Sequence, residues 1–148
     1  MTTQSLIDQE GKYLQTENDG LINRDSDPCT EIKLGYLSRY LDIFTKAMRS
    51  WEAMHYIDLL SGPGKCRIKR TNRVILGSPL LAITQKYPFA KYFYNDINEE
   101  NLSVLKTRCA TSPYYNRIKF YTGDCNRVVD EIVTRIQSID RELSVKNR

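Results

Sequence analysis

Three short runs of apolar and aromatic residues in this 148-residue chain each lead into residues that can hold a polar ligand. Run 56–60 leads into Ser61-Gly62-Pro63-Gly64, run 91–95 ends at Asp96, and run 118–121 is followed by Asp124 and Cys125. The glycines let the backbone turn sharply and let a ligand lie against it. Asp96 can accept hydrogen bonds from the two vicinal hydroxyls of a ribose, and Asp124 from the exocyclic amine of a base. With the backbone amide of Cys125 donating to a ring nitrogen, these groups can hold an adenosine.

Each of these acids also has a purely structural interpretation. Asp96 and Asp124 can cap the helices that follow them. Asp58, inside the first run, can either contact the ligand or accept hydrogen bonds from the amides of the glycine turn, and both alternatives stay open. His55 precedes a buried run, which favours a structural residue. None of the four cysteines has the spacing of a zinc knuckle or a redox pair, and the single histidine has no partner at zinc-site spacing, so no metal site is expected.

Two phosphate-binding motifs do not fit the glycine turn. The dinucleotide fingerprint needs a third glycine at the position of Arg67. The P-loop needs its first glycine at the position of Leu59, and Ser or Thr at the position of Cys66. Phosphate binding by either route is therefore not expected.

The elements that carry these residues can be placed by periodicity. Residues 1–26 are polar and aperiodic, which predicts a disordered tail. Asp27-Pro28 is typical of a helix start, with Asp27 as cap, and the helix is predicted over about 30–50 because Leu34, Leu37, Leu41, Phe44 and Met48 recur at spacings of three and four. A partial domain over 27–148 then comprises this leading helix and three strand–helix units within 55–147.

Two of the connections are also predicted. The basic stretch 65–76 contains Thr71-Asn72, which favours a tight turn in a small hairpin. Ser78 is predicted to cap a helix over about 79–87, and Asn98 to cap the helix that carries Leu102, Leu105 and Cys109. Strands that alternate with helices predict an α/β fold, a Rossmann-like parallel sheet with strand order 3-2-1, in which ligands bind beyond the carboxyl ends of the strands.

Charge and hydropathy narrow the class of protein. The formal net charge is +4, and five basic residues fall within 65–73, a cluster that can meet nucleic acid or simply form a solvated loop. No apolar run approaches the roughly 20 residues that span a bilayer, and the first residues do not form a secretory signal. We therefore expect a cytoplasmic protein with reduced thiols.

The motifs resemble those of a known superfamily. The segment Tyr56-Ile57-Asp58-Leu59-Leu60-Ser61-Gly62-Pro63-Gly64 resembles the first motif of class I S-adenosylmethionine-dependent methyltransferases, and Asp96 and Asp124 resemble the second and third. More narrowly, the chain resembles the three-Cys-motif partner protein (TcmP) family over about residues 30–136, at Lys33-Leu34, Tyr40-Leu41, Gly77-Ser78-Pro79-Leu80 and Gly123-Asp124-Cys125-Asn126. The resemblance implies a methyltransferase-like domain that binds S-adenosylmethionine, and a partner with a three-cysteine motif.

The chain departs from that family after the third strand–helix unit. Family members continue with a fourth strand and an Asp-Pro-rich turn that, in related methyltransferases, faces the methyl acceptor. We therefore expect an N-terminal portion that keeps the adenosine half of the site, lacks the acceptor half and does not catalyse by itself. Its first strand is expected to be a bare edge that dimerises or pairs with another chain. The alternatives are a non-catalytic partner or regulatory module, and a nucleic-acid interaction through the stretch 65–73.

Overall fold

A computed structural model describes residues 14–51 and 53–147. These residues form six strands, four α-helices and a short 3₁₀ helix at Tyr115–Arg117. In chain order the main elements are β1 (Arg24–Ser26), α1 (Pro28–Ala47), β2 (His55–Asp58), β3 (Lys65–Ile68), β4 (Val74–Leu76), α2 (Ser78–Ile83), β5 (Lys91–Asp96), α3 (Glu99–Cys109), β6 (Ile118–Thr122) and α4 (Cys125–Lys146).

Strands β2, β5 and β6 form a parallel sheet with β5 in the middle. Successive β5 side chains face opposite sides of the sheet. Tyr92 and Tyr94 pack in the main core with residues of α1, α2 and α3, whereas Phe93 packs with Val128 and Ile132 of α4. Helices therefore cover both faces. The predicted α/β fold with parallel strands is confirmed, and its assignment as Rossmann-like stays a prediction.

A second, smaller sheet has the order β1-β3-β4. Strands β3 and β4 are antiparallel, and the turn between them places Asn72 at φ 52°, with its amide donating to the carbonyl of Ile68. Asparagine tolerates this left-handed conformation better than most residues. The predicted hairpin with its turn at Thr71-Asn72 is confirmed.

The segment before α1 differs from the tail predicted over 1–26, of which residues 1–13 lie outside the described part. Leu14 is only 1% exposed, the amide of Thr16 donates to the carbonyl of Val74, and β1 pairs in parallel with β3. Residues 14–26 are thus folded against the hairpin. Their polar composition conceals this because most of their contacts are backbone hydrogen bonds and ion pairs rather than apolar packing.

Two predicted helix caps are wrong. Asp27 does stand at the N-cap of α1, but its side chain makes no capping hydrogen bond and lies 3.4 Å from Lys69 Nζ. Helix α2 begins at Ser78 itself, and the Ser78 hydroxyl donates to Asp58. In both cases a distant partner competes with the local amide.

The observed bounds of two helices differ from the predicted ones, whereas the predicted cap of α3 is confirmed. The leading helix runs from 28 to 47 instead of 30–50, and α2 ends at Ile83 instead of residue 87. Pro88 accounts for part of the second difference, since the residue before a proline avoids helical geometry. Asn98 caps α3 as predicted, accepting from the amides of Glu100 and Asn101. None of the helices in the described ranges is both long and apolar enough to cross a bilayer.

Candidate functional site

The carboxyl ends of β2, β5 and β6 are tied together by one buried side chain. Asn95, which is fully buried, donates through Nδ2 to the carbonyls of Leu59 and Gly123, both at 3.0 Å. The backbone carbonyl of Asn95 accepts from the amide of Ser61 at 2.9 Å. The residues that follow the three apolar runs therefore share one edge of the sheet.

Asp96 connects the glycine turn to the start of α3. Its Oδ2 accepts from the amide of Gly62 at 2.9 Å, and its Oδ1 accepts from the amide of Asn98 at 2.9 Å and from Asn101 Nδ2 at 3.4 Å. A carboxylate offers about four lone-pair sites. These contacts leave room for one further donor, so a ribose would place one hydroxyl here rather than two unless Asn101 turned away.

The glycines of the turn are needed for different reasons. Gly62 and Gly64 have φ of 63° and 97°, which favour glycine. A Cβ on Gly62 would meet nothing closer than 3.8 Å, whereas one on Gly64 would lie 2.9 Å from Leu105 Cδ1. Gly77 packs its backbone on Gly64, where a Cβ would lie 2.8 Å from the Gly64 oxygen. Gly62 thus has room for a Cβ, which would touch only the Arg24 side chain, whereas Gly64 and Gly77 are required by close packing.

Asp58 lies behind the turn. One of its oxygens accepts from the hydroxyl of Ser78 at 2.5 Å and the other from the amide of Leu60 at 3.3 Å. Burial raises the pKa of this carboxyl above its usual range, and the hydrogen bond from Ser78 partly opposes that shift. Both contacts are structural, but they come from Leu60 and Ser78 rather than from the amides of the glycine turn 61–64, as the structural alternative for Asp58 had it.

The other two residues of the turn, Ser61 and Pro63, differ in their hydrogen bonding. Ser61 is buried, and its hydroxyl has no hydrogen-bond partner among the described residues. The Pro63 carbonyl accepts from Arg108 at 2.7 Å. Both residues line a cavity of about 300 Å³ between the turn, β1 and the start of α2, with Arg24 and Ser78 also in its wall. Asp96 and Asp124 do not line this cavity, so it adjoins the strand-end acids without including them.

Asp124 stands at the N-cap of α4. Its Oδ1 accepts from the amide of Asn126 at 2.8 Å, so the capping alternative for Asp124 is present in the structure. Capping uses one carboxylate oxygen, and the side chain is exposed, which leaves the second oxygen available. Cys125, the first residue of α4, is half-buried.

The basic stretch 65–73 is largely neutralised by the acidic segment before it. Four ion pairs join the two: Lys65–Asp19 at 3.3 Å, Arg67–Asp25 at 2.7 Å, Lys69–Asp27 at 3.4 Å and Arg73–Glu31 at 2.7 Å. Arg67–Asp25 lies within the β1–β3 pairing and Lys69–Asp27 follows it in the same register, whereas Arg73 stands just before β4 and Glu31 is in α1. This pairing favours a structural role for the stretch over a free surface for nucleic acid.

His55 lies away from the strand ends, and Cys66 lines the cavity beside the glycine turn. His55 begins β2 at the opposite end of the sheet, with its ring edge-on to Phe93. Both ring nitrogens are buried without a partner among the described residues, and burial lowers the pKa of His55. The thiols of Cys66 and Cys109 are buried, which raises the pKa of Cys109 to about 12. Within the described ranges, no three His, Cys, Asp or Glu side chains are grouped to hold a metal ion.

Two residues that organise the site have no local sequence signal. Asn95 sits in an aromatic run, and Arg108 lies 45 residues after the Pro63 that it contacts. Only the alternation of acids at 25 and 27 with bases at 67 and 69 could have indicated the pairing of β1 with β3. Comparison with family models and with curated proteins finds no match to this chain.

Proposed function

We propose that this chain is a methyltransferase-like, Rossmann-type domain that binds S-adenosylmethionine, as its resemblance to class I methyltransferases and to three-Cys-motif partner proteins implies. The observation that carries the proposal is the hydrogen bond from the Gly62 amide to Asp96, together with the bridging by Asn95. These contacts bring the three motif-like strand ends to one edge, where open α/β sheets bind their ligands.

The binding mode follows from the groups that remain open. The ribose lies beside Gly62, whose nearest side chain is that of Arg24, and one hydroxyl donates to Asp96. The adenine amine donates to the free oxygen of Asp124, and the Cys125 amide donates to the ring. The described residues are assigned nucleoside binding and no catalytic step, so methyl transfer depends on groups that are not among them.

The compartment and the partner of the protein are part of the same proposal. We place the protein in the cytoplasm, where its thiols stay reduced. A partner with a three-cysteine motif would complete or use the module, in line with the alternative of a non-catalytic partner or regulatory role. Nucleic-acid binding is the less supported alternative, because four basic side chains of the stretch 65–73 already form ion pairs with acidic residues of the chain.

Isothermal titration with S-adenosylmethionine tests the proposal, with Asp124→Asn as the diagnostic variant. Asparagine caps a helix as well as aspartate does, so the fold is kept. The second carboxylate oxygen, which would accept from the adenine amine, is replaced by an NH₂ group that can only donate. We expect a wild-type Kd on the order of 10⁻⁶ M or weaker, and a further weakening of about tenfold in Asp124→Asn.

Asp130→Asn is the matched control, because it removes the same charge from an exposed position further along α4. It should bind like the wild type. S-adenosylhomocysteine should bind as well, since it shares the adenosine. No heat at millimolar ligand in a folded sample would contradict the proposal.

A further inference from the structure

Helix α1 has a second apolar face that the described residues leave exposed. Leu34 and Leu41 face the core, whereas Tyr36, Tyr40 and Ile43 are 64%, 61% and 69% exposed. At about 100° per residue these three side chains lie within about 60° of one another around the helix. We call this group the α1 stripe. A soluble helix usually presents charged or polar residues on this side.

Positive charge borders the α1 stripe on both sides. Lys33 lies on one side of Tyr36, and Arg39 and Lys46 lie on the other, all of them exposed. The two acids of the helix lie further round: Glu31 is buried and pairs with Arg73, and Asp42 is about 120° from Tyr36. The surface is therefore an apolar ridge between basic flanks.

We propose that the α1 stripe is a docking surface for an acidic amphipathic helix of a partner protein. The spacing i, i+4, i+7 gives a ridge of about two turns that fits between the side chains of a second helix. Carboxylates beside the apolar stripe of that helix would meet Lys33 and Lys46. A second copy fits poorly, because two α1 stripes face to face would oppose their basic flanks.

This surface is separate from the proposed nucleoside site. Thr30 and Leu34, which line the cavity beside the glycine turn, lie about 120° and 160° from Tyr36 around α1. A helix docked on the stripe would leave that side of α1 free. The proposal therefore does not depend on S-adenosylmethionine binding, and the two can fail independently.

The test uses a designed probe, a fluorescein-labelled 18-residue helical peptide with leucines at i, i+4, i+7 and i+11 and glutamates on both flanks. Its control carries lysines in place of the glutamates. Fluorescence anisotropy against the full chain should show binding of the glutamate peptide at least tenfold tighter than of the lysine peptide. The double variant Lys33→Glu, Lys46→Glu should reverse that order.

Ile43→Ser tests the apolar part and should weaken the glutamate peptide about tenfold. Val145→Ser is the matched control, because Val145 is 75% exposed on α4, and it should change nothing. Equal binding of both peptides, binding of neither at 100 µM, or no effect of Ile43→Ser would overturn the proposal. So would a single-stranded oligonucleotide that competes for the stripe, or a dimer that Ile43→Ser dissociates.

Discussion

Two adjacent side chains at the end of β5, Asn95 and Asp96, organise the edge of the parallel sheet. Asn95 supplies two N–H groups from one planar amide, so it can satisfy a carbonyl on each neighbouring strand at once. Asp96 supplies acceptors and holds the amides of Gly62 and Asn98. A donor residue followed by an acceptor residue thus joins all three strand ends, and neither role can be exchanged for the other.

Replacement of Asn95 by leucine should be costly. Asn95→Leu keeps a similar volume but leaves the carbonyls of Leu59 and Gly123 without a donor, and a buried unsatisfied group costs roughly 1–3 kcal/mol. The change also removes the Oδ1 of Asn95, which is buried without a partner among the described residues, and this offsets part of the cost. We therefore expect the free energy of unfolding to fall by about 2 kcal/mol, as measured by urea-induced unfolding.

The control for this variant is Asn101→Ala, which removes only a long contact of 3.4 Å to Asp96. Its free energy of unfolding should stay within about 0.5 kcal/mol of the wild type. If Asn95→Leu were equally mild, the bridging by Asn95 would not be what joins the strand ends.

At the scale of elements, Arg108 of α3 attaches the segment before α1 to the glycine turn. Its side chain is only 3% exposed and makes five hydrogen bonds, to both oxygens of Asp19, to Asn23 Oδ1, and to the carbonyls of Ile22 and Pro63. Hydrogen bonding to Arg108 is the main reason that the pKa of Asp19 lies well below its usual range. Residues 19–23 thus depend on one guanidinium far away in the sequence.

Loss of this guanidinium should release the segment. Arg108→Met leaves Asp19 without its main partner and leaves the part-buried carbonyl of Pro63 without its donor, which typically costs about 1–3 kcal/mol. We expect amide hydrogens of residues 19–26 to exchange much faster in the variant, measured by hydrogen exchange with mass spectrometry. Exchange that remained slow would show that the β1–β3 pairing holds the segment without Arg108.

The same contact predicts an acid response. A carboxyl whose folded pKa is lowered stabilises the fold above its unfolded pKa of about 3.9, and this contribution is lost as the pH falls below that value toward the lower folded pKa. The protection of the amides of residues 19–26, measured relative to the intrinsic exchange rate at each pH, should therefore fall below about pH 4 in the wild type. In Asp19→Asn, which lacks the titrating group, this part of the response should disappear.

These contacts also define what the sequence could predict. Periodicity located the helices and the three parallel strands, and local chemistry identified the cap Asn98 and the turn at Asn72, because those signals lie within a few residues. The caps at Asp27 and Ser78, and the fold of residues 14–26, depend on partners 20–89 residues away. The sequence marked the residues of the candidate site but not Asn95 or Arg108, whose contacts exist only after the chain has folded.

At the scale of the whole molecule, the parallel sheet is covered unevenly. Helix α4 packs on Phe93 through Val128 and Ile132, but Ile57 of β2, which pairs with Phe93 and faces the same side, is 39% exposed. Leu60, just after β2, is 65% exposed. Parallel sheets are usually buried on both faces, and β2 lies at the edge of this one. An edge strand with apolar side chains beside it is a template for another strand.

Association through the β2 edge should follow from this arrangement. Sedimentation velocity over a range of micromolar concentrations should show a mass that rises with concentration, because two β2 edges can pair and bury Ile57 and Leu60 together. Ile57→Lys should suppress the association, since a lysine on an edge strand opposes pairing.

Val133→Lys is the control: Val133 is 45% exposed but lies on helix α4 rather than on a strand, and its replacement should leave the mass unchanged. A wild-type chain that stays monomeric throughout would show that β2 does not pair with a second copy. Association abolished by Ile43→Ser and unaffected by Ile57→Lys would assign the contact to α1 instead.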